Sequence, residues 1–215
     1  MSLVSPVFEQ HYRDYLQQLA SLDIKTIGPA LGGRILNESQ EPMVSLPYFN
    51  KTYRVSSQGI LDPSGQKPGY DTCILLCRYL LMGAGLIGKE NGNKPKALEW
   101  VGFRDLKDSG PLTVYFSNNV EQAILNALTG RLAEFKAEME QLKGRVPDLD
   151  VQYDLAVQLD GLPRIPMLLL FNDAEDGFPA SCSVLFKKDV ETFLDAECIA
   201  MVGYRLAVLI ANVFP

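Results

Sequence analysis

Two adjacent segments with opposite hydrophobic patterns constrain the fold of this 215-residue chain more than any other feature. Apolar and polar side chains alternate across residues 153–160, which is typical of a strand with one buried face. Every side chain is apolar across residues 167–171, which predicts a central strand buried on both faces. The short turn Gly161-Leu-Pro163 separates the two segments, and Pro166 is expected to mark where pairing of the second strand begins.

Helical patterns precede and follow these strands. Apolar residues recur at three- and four-residue steps or in long runs over residues 6–22, 70–82, 119–128, 132–142, 187–194 and 197–212. Further strands are predicted at 43–49 and 52–56, joined by a tight turn at Asn50-Lys51, and at 182–186. The order predicts an α+β fold, a mostly antiparallel sheet with helices packed on it. We expect one domain over residues 1–215, with residues 1–35 as a candidate N-terminal helical arm.

The apolar helix predicted at 70–82 carries two of the four cysteines. We expect Asp71 to cap it and Gly83 to stop it. Cys73 and Cys77 share one helical face, and core packing is the favoured interpretation. A thiol-bound metal or cluster is the alternative, although the spacings of zinc knuckles and iron–sulfur motifs are missing. We therefore expect no metal, and the sequence names no cofactor.

A glycine-rich motif follows that helix. Residues 83–88 spell G-x-G-x-x-G, but a dinucleotide site requires the motif to follow a strand and to open a helix. Here the motif follows a predicted helix, so dinucleotide binding is disfavoured.

Charge is distributed unevenly along the chain. The formal net charge is −6, and residues 108–215 hold 16 acidic against eight basic side chains. Such a balance argues against nucleic-acid binding, which needs clustered lysine and arginine. The acidic half is interpreted first as a solvated face, and alternatively as a docking surface for a basic partner or a hard cation.

One acidic loop follows the apolar strand directly and contains Asp173, Glu175 and Asp176. The simpler interpretation is a polar turn, in which Asp173 accepts hydrogen bonds from local amides and Gly177 adopts a positive φ. The alternative is a site for a cation or a partner, because three close carboxylates repel one another unless they are neutralised.

A second candidate binding segment contains the only tryptophan. Trp100, Arg104 and Asp105 lie close together in sequence, and aromatic residues beside arginine can form a ligand platform or a protein hot spot. A core corner containing an ion pair is the competing interpretation.

No complete catalytic set is present in the sequence. His11 is the only histidine, and no G-x-S-x-G motif occurs, so whether the protein is an enzyme stays open. The segment 198–215 is apolar but short and contains Arg205, so no membrane span is expected. The start of the chain lacks the basic and apolar regions of a signal peptide, so a cytoplasmic location is expected.

Several segments in order resemble one known family. They are Ile74-Leu-Leu-Cys-Arg-Tyr-Leu-Leu81, Trp100-Val-Gly-Phe-Arg-Asp-Leu106, Phe116, Leu162-Pro-Arg-Ile-Pro-Met167, the acidic Phe-Pro turn, Val184-Leu-Phe186 and Phe193-Leu-Asp-Ala-Glu197. Over residues 40–210 the chain resembles the domain of unknown function 3786, which is found mainly in anaerobic bacteria and archaea.

The resemblance implies an accessory role. Some family members resemble fusions with an iron–sulfur module like those of corrinoid one-carbon enzymes, which implies a link to anaerobic cofactor or one-carbon metabolism. We therefore expect a binding or accessory domain that uses Trp100, Arg104, Asp105 and the acidic turn as one recognition surface. The partner is a protein or a small ligand, and homo-oligomerisation is left open. The alternative is an enzyme that depends on a divalent cation held by Asp173, Glu175 and Asp176.

Overall fold

The computed structural model describes residues 6–36, 41–86, 99–149 and 152–213. Within these ranges the chain forms helices and two four-stranded antiparallel sheets. The α+β class and the antiparallel pairing are therefore confirmed, with two sheets in place of the one that the sequence suggested. The last two residues of the glycine-rich motif at 83–88 and the loop after it lie outside the described residues.

The chain packs as two compact units. The first contains Met1–Lys94 with two short later segments, Leu162–Arg164 and Thr192–Leu194. The second contains Pro95–Gly161, Ile165–Glu191 and Asp195–Pro215. The expectation of a single domain with a helical arm at 1–35 stays a prediction, because a packing unit is not by itself an independent folding unit.

The described residues of the first unit form three helices and one sheet. The helices are α1 (Pro6–Ala20), α2 (Ile24–Ala30) and α3 (Tyr70–Ala84). The strands, in sheet order, are β1 (Arg34–Leu36), β2 (Met43–Tyr48), β3 (Lys51–Ser56) and β4 (Gly59–Leu61). Helix α1 packs along α3, and α2 packs on β1 and β2. The sequence analysis missed β4, because it lies in a stretch rich in turn residues.

The β2–β3 turn lies one residue earlier than predicted. Tyr48 pairs with Lys51, so the turn residues are Phe49 and Asn50. Phe49 adopts a φ of 52°, a conformation that a bulky side chain rarely takes. Its ring contacts the ring of Tyr48 at 5.1 Å between centroids, a packing gain that offsets part of the strain.

Helix α3 confirms the predicted helix at 70–82 but corrects both of its predicted ends. Gly69 precedes the first helical residue and Asp71 lies inside the first turn, so Asp71 is not the cap. Gly83 lies inside the helix and does not stop it. A Cβ at Gly83 would come within 2.5 Å of the Leu31 side chain, so glycine here allows α3 to approach its neighbour closely.

Tyr79 of α3 joins two backbone segments through one hydroxyl group. The hydroxyl donates to the Leu31 carbonyl oxygen at 2.8 Å and accepts from the Arg164 amide at 3.2 Å. The Arg164 side chain in turn donates to the Ala30 carbonyl oxygen at 3.0 Å. Because the Tyr79 side chain is fully buried, both backbone groups depend on it for a partner.

We expect Tyr79→Phe to lower the free energy of unfolding by about 1–3 kcal/mol, because it leaves a buried carbonyl and an amide without their partner. Urea denaturation measures the change. The control is Tyr153→Phe, at a side chain that is 42 % exposed, which should change stability by less than about 0.5 kcal/mol. Equal effects of the two substitutions would contradict the assigned role of Tyr79.

The second unit contains the other sheet. Its strands are β5 (Trp100–Gly102), β6 (Leu155–Leu162), β7 (Ile165–Asn172) and β8 (Ser181–Lys187), in the order β5-β8-β7-β6. The three strands predicted at 153–160, 167–171 and 182–186 are confirmed to within a few residues. Strand β7 lies between β8 and β6, as its unbroken apolar run predicts. The strand begins at Ile165, and its register with β8 begins at Met167, directly after Pro166.

Helices of the second unit pack on one another and on β8. They are α4 (Thr113–Phe116), α5 (Gln122–Leu128), α6 (Leu132–Glu138) and α7 (Ala196–Ala211), with a single π turn at Ser117–Glu121 between α4 and α5. The helix predicted at 119–128 therefore begins earlier, at Thr113. The helix predicted at 187–194 is only a 3₁₀ turn at Lys188–Thr192. Asp195 then caps α7 by accepting from the Cys198 amide at 2.9 Å.

An aromatic stack packs around Phe116, the residue that directly precedes the π turn. The rings of Phe103 and Phe116 are parallel, with centroids 4.3 Å apart, and Phe186 of β8 meets Phe116 edge-on at 6.0 Å. Helix α7 approaches this stack at Gly203, where a Cβ would lie only 2.5 Å from the Phe116 ring.

We expect Gly203→Ala to destabilise the protein by about 1–2 kcal/mol, because the clash with a packed ring outweighs the helix propensity that alanine adds. Thermal or urea unfolding measures the change. The matched test is Phe116→Leu, which makes room for the new methyl group. The double variant should be more stable than the sum of the two single effects predicts, and strict additivity would contradict the proposed contact.

Candidate functional site

The Trp100–Asp105 segment borders a cavity of about 380 Å³, which we call the Glu121 pocket. Two of the predicted binding residues, Arg104 and Asp105, line it. The full lining is Gly102, Phe103, Arg104, Asp105, Thr113, Phe116, Ser117, Glu121, Ser183 and Leu185. All of these residues belong to the second unit.

The pocket exists because β5 is short. Strand β5 pairs only with residues 185–187 of β8, and after Gly102 the chain turns into a 3₁₀ turn at Phe103–Asp105. Oδ2 of Asp105 stabilises this turn by accepting a hydrogen bond from the Gly102 amide at 3.2 Å. The N-terminal half of β8 therefore extends beyond β5, and the pocket lies beside it.

Glu121 accepts a hydrogen bond from the exposed edge of β8. Its Oε1 accepts a hydrogen bond from the Val184 amide at 3.3 Å, and Oε2 accepts none within the described part of the chain. The carboxylate reaches this position from the π turn, a backbone feature often found at functional sites.

Burial sets the acidity of Glu121. Desolvation raises the pKa of this carboxyl above its ordinary value of 4.5, and the Val184 amide and the positive charge of Arg104 only partly oppose that shift. A carboxyl with a raised pKa beside a cavity is a candidate functional group.

Arg104 is the only basic residue in the described lining of the pocket. Its Nε lies 3.9 Å from Oδ1 of Asp105, and its side chain is 79 % exposed. A surface pair of this length contributes little to stability, so the guanidinium can rearrange to bind a ligand.

Trp100 does not line the pocket. It pairs with Lys187 across the β5–β8 ladder, and the Lys187 ammonium lies 4.0 Å from the centre of the indole ring. The predicted aromatic platform is therefore covered by a cation of the same sheet.

The acidic loop forms a separate cavity of about 400 Å³, the Asp173 pocket. Its lining is Asp154, Asn172, Asp173, Glu175, Phe178, Pro179 and Ser181, and Asp176 is not part of it. The two pockets share no lining residue. They do share a strand face, since Ser181 lines one pocket and Ser183 and Leu185 line the other, and alternate residues of a strand point the same way.

The Asp173 carboxylate accepts hydrogen bonds from backbone amides. Its oxygens accept from the Gly130 amide at 3.0 and 3.1 Å, and Oδ1 also accepts from the Ala174 amide at 2.9 Å. Oδ2 of Asp154 accepts from the Asp173 amide at 2.7 Å, and Gly177 has a φ of 87°. The Ala174 hydrogen bond and the positive φ of Gly177 agree with the polar-turn interpretation, while the alternative, a site for a cation or a partner, stays a prediction.

The described residues contain no group of three or more His, Cys, Asp and Glu side chains arranged to hold a metal ion. Cys73 and Cys77 are buried in α3, and burial raises the pKa of their thiols to about 11 and about 12. Thiols with these pKa values stay protonated at neutral pH and are poor nucleophiles. His11 lies on an exposed position of α1.

Sequence reasoning missed Glu121, Thr113, Ser117 and Ser183. These residues come from two helical segments and a strand, and no local pattern distinguishes them from surface side chains. The one available signal is Ser117-Asn118-Asn119, a run of poor helix formers at the start of the helix predicted at 119–128, which coincides with the π turn.

Comparison with known proteins places the chain in a family. The family model for a domain of unknown function, DUF3786, matches residues 23–208. The chain belongs to this family. No curated protein and no solved structure matches. The resemblance inferred from the segment order is thus confirmed, while the anaerobic and archaeal distribution stays a prediction.

A search of the described helices finds none with the length and apolar character needed to cross a membrane. The expected cytoplasmic location stays a prediction.

Glu121 should make stability depend on pH. Because its pKa in the folded protein is raised, the native state retains this proton to a higher pH than the unfolded chain does. Its contribution to the free energy of unfolding is greatest below pH 4.5 and falls as pH rises through the raised folded value.

We expect Glu121→Gln to remove that fall while Gln Oε1 still accepts from the Val184 amide. Urea midpoints measured from pH 4.5 to 7.5 should show the variant gaining stability relative to the wild type as pH rises. The control is Glu134→Gln, at a side chain that is 63 % exposed, which should run parallel to the wild type. A wild-type-like slope in the Glu121 variant would contradict the assignment.

Proposed function

We propose that this member of the DUF3786 family is a binding domain and that a small polar ligand occupies the Glu121 pocket. The observation that carries the proposal is the half-buried Glu121 carboxyl, which lines the same cavity as Arg104. The volume of about 380 Å³ lies within the range of small-molecule sites, about 300–1,000 Å³.

Several elements contribute polar groups to this cavity. Hydroxyl groups come from Thr113, Ser117 and Ser183, while the apolar wall is formed by the stacked Phe103 and Phe116 rings. The Thr113 hydroxyl donates to the Ser109 carbonyl oxygen at 3.1 Å, which leaves its oxygen free to accept. Polar groups that converge on an apolar wall are typical of ligand sites.

The chemistry of the lining favours binding over nucleophilic catalysis. A serine or threonine nucleophile needs an adjacent base to activate it. The described lining contains no histidine, cysteine or lysine, so only a carboxylate there could act as this base at neutral pH.

Two finer expectations from the sequence stay predictions. One is the link to anaerobic cofactor or one-carbon metabolism, including corrinoid and iron–sulfur chemistry. The other is a cation-dependent enzyme that uses Asp173, Glu175 and Asp176. The hydrogen bonds that engage Asp173 favour the turn interpretation over the second.

The test uses a pair of substitutions on one strand face. We expect at least one compound from a panel of polar metabolites to raise the melting temperature, since a ligand at 100 times its Kd adds about 2.7 kcal/mol of stability. Ser183→Phe fills the Glu121 pocket and should abolish the shift. Ser181→Phe places the same ring on the same face of β8 but in the Asp173 pocket, and should retain it.

Three results would contradict the proposed site. The panel could produce no shift, the shift could survive in Ser183→Phe, or Ser181→Phe could remove it as well. Far-UV circular dichroism of both variants verifies that each one folds.

A further inference from the structure

We propose that the ligand of the Glu121 pocket is a small zwitterion of the free α-amino acid class, bound through its ammonium at Glu121 and through its carboxylate at Arg104. This inference rests on the proposed function and specifies the substrate class of the same site.

Two opposite charges, Glu121 and Arg104, line one cavity without forming an ion pair within the described residues. Arg104 lies near enough to favour the charged form of the Glu121 carboxyl. Within the described part of the chain, however, no ion pair of 4.0 Å or less joins them. A ligand that carries both signs could bridge this gap and match each charge with its opposite.

The second argument concerns the ammonium end. An ammonium group has three N–H donors and needs three acceptors. Oε2 of Glu121 accepts no hydrogen bond within the described chain, and the hydroxyl oxygens of Ser117 and Ser183 line the same cavity. A ligand ammonium would therefore find one charged and two neutral acceptors.

The third argument concerns the carboxylate end. The planar guanidinium of Arg104 can bind a carboxylate through two parallel hydrogen bonds. Two carboxylates, Asp105 and Glu121, line the pocket against this single basic residue. They would repel a phosphate or another multiply charged anion, so a ligand with one negative charge fits better.

The fourth argument is size. The cavity lies at the small end of the range for ligand sites, and the rings of Phe103 and Phe116 are almost fully buried behind its surface. Together with Leu185 they form an apolar wall that suits a short aliphatic side chain. We therefore expect small amino acids to bind better than aromatic ones.

The experiment is calorimetric titration of the full chain with the twenty free L-amino acids. The tightest binder is then compared with its methyl ester, which retains only the ammonium, and with its N-acetyl derivative, which retains only the carboxylate. We expect each derivative to bind at least tenfold more weakly than the amino acid, because each lacks one charge-assisted contact.

Two variants assign each charge to its residue. Arg104→Gln should weaken the amino acid at least tenfold and leave the methyl ester unchanged. Glu121→Gln should weaken the amino acid at least tenfold and leave the N-acetyl derivative unchanged. Arg131→Gln, at an arginine outside the pocket lining, is the matched control and should bind like the wild type.

The outcomes separate this inference from the proposed function. If the ester or the N-acetyl derivative binds as tightly as the amino acid, the zwitterion is wrong. The zwitterion is also wrong if no amino acid binds while another metabolite raises the melting temperature and Ser183→Phe abolishes that rise. In both cases the binding site stands. If no compound of any class binds at the pocket, both proposals fail.

Discussion

The hydrogen-bonding requirement of strand β8 organises the whole candidate site. Strand β7 pairs with β8 along most of its length, whereas β5 pairs with only three of its residues. The Val184 amide beyond β5 still needs an acceptor, and the Glu121 carboxyl supplies it. In this position the Glu121 carboxyl is partly removed from water, which raises its pKa. Because β5 ends at Gly102, a cavity remains beside the carboxyl. The geometry and the electrostatics of the pocket thus follow from one unpaired strand edge.

The same principle holds the first unit together at Tyr79. One buried hydroxyl supplies an acceptor to the Arg164 amide and a donor to the Leu31 carbonyl. In both units a single side chain forms hydrogen bonds with backbone groups that have no partner in a neighbouring strand or helix. The difference lies in exposure, because Tyr79 is fully buried and serves packing, whereas Glu121 is half-buried and its Oε2 accepts no hydrogen bond from the described residues.

The two pockets show why charge density alone is a poor guide to a site. The acidic loop holds three carboxylates in four positions, but Asp173 is engaged by the amides of Gly130 and Ala174. Glu121 stands out in no sequence pattern. It nevertheless combines burial, a nearby cation and an oxygen that accepts no hydrogen bond within the described ranges, which together make a carboxyl able to bind a ligand.

The sequence by itself determined the features that depend on local periodicity. Alternation over 153–160 identified a strand with one buried face, and the apolar run at 167–171 identified a central strand, because side chains of a strand alternate between faces. The long apolar run identified α3 for the similar reason that its length exceeds that of a strand. Arg104 and Asp105 were likewise found as candidates from their place beside an aromatic residue. Only the tertiary structure decided the rest. Strand β5 is three residues long and acquires its strand conformation from pairing with β8. Glu121, Ser117 and Ser183 become one site because segments some 60 residues apart pack together, and no local pattern encodes that proximity.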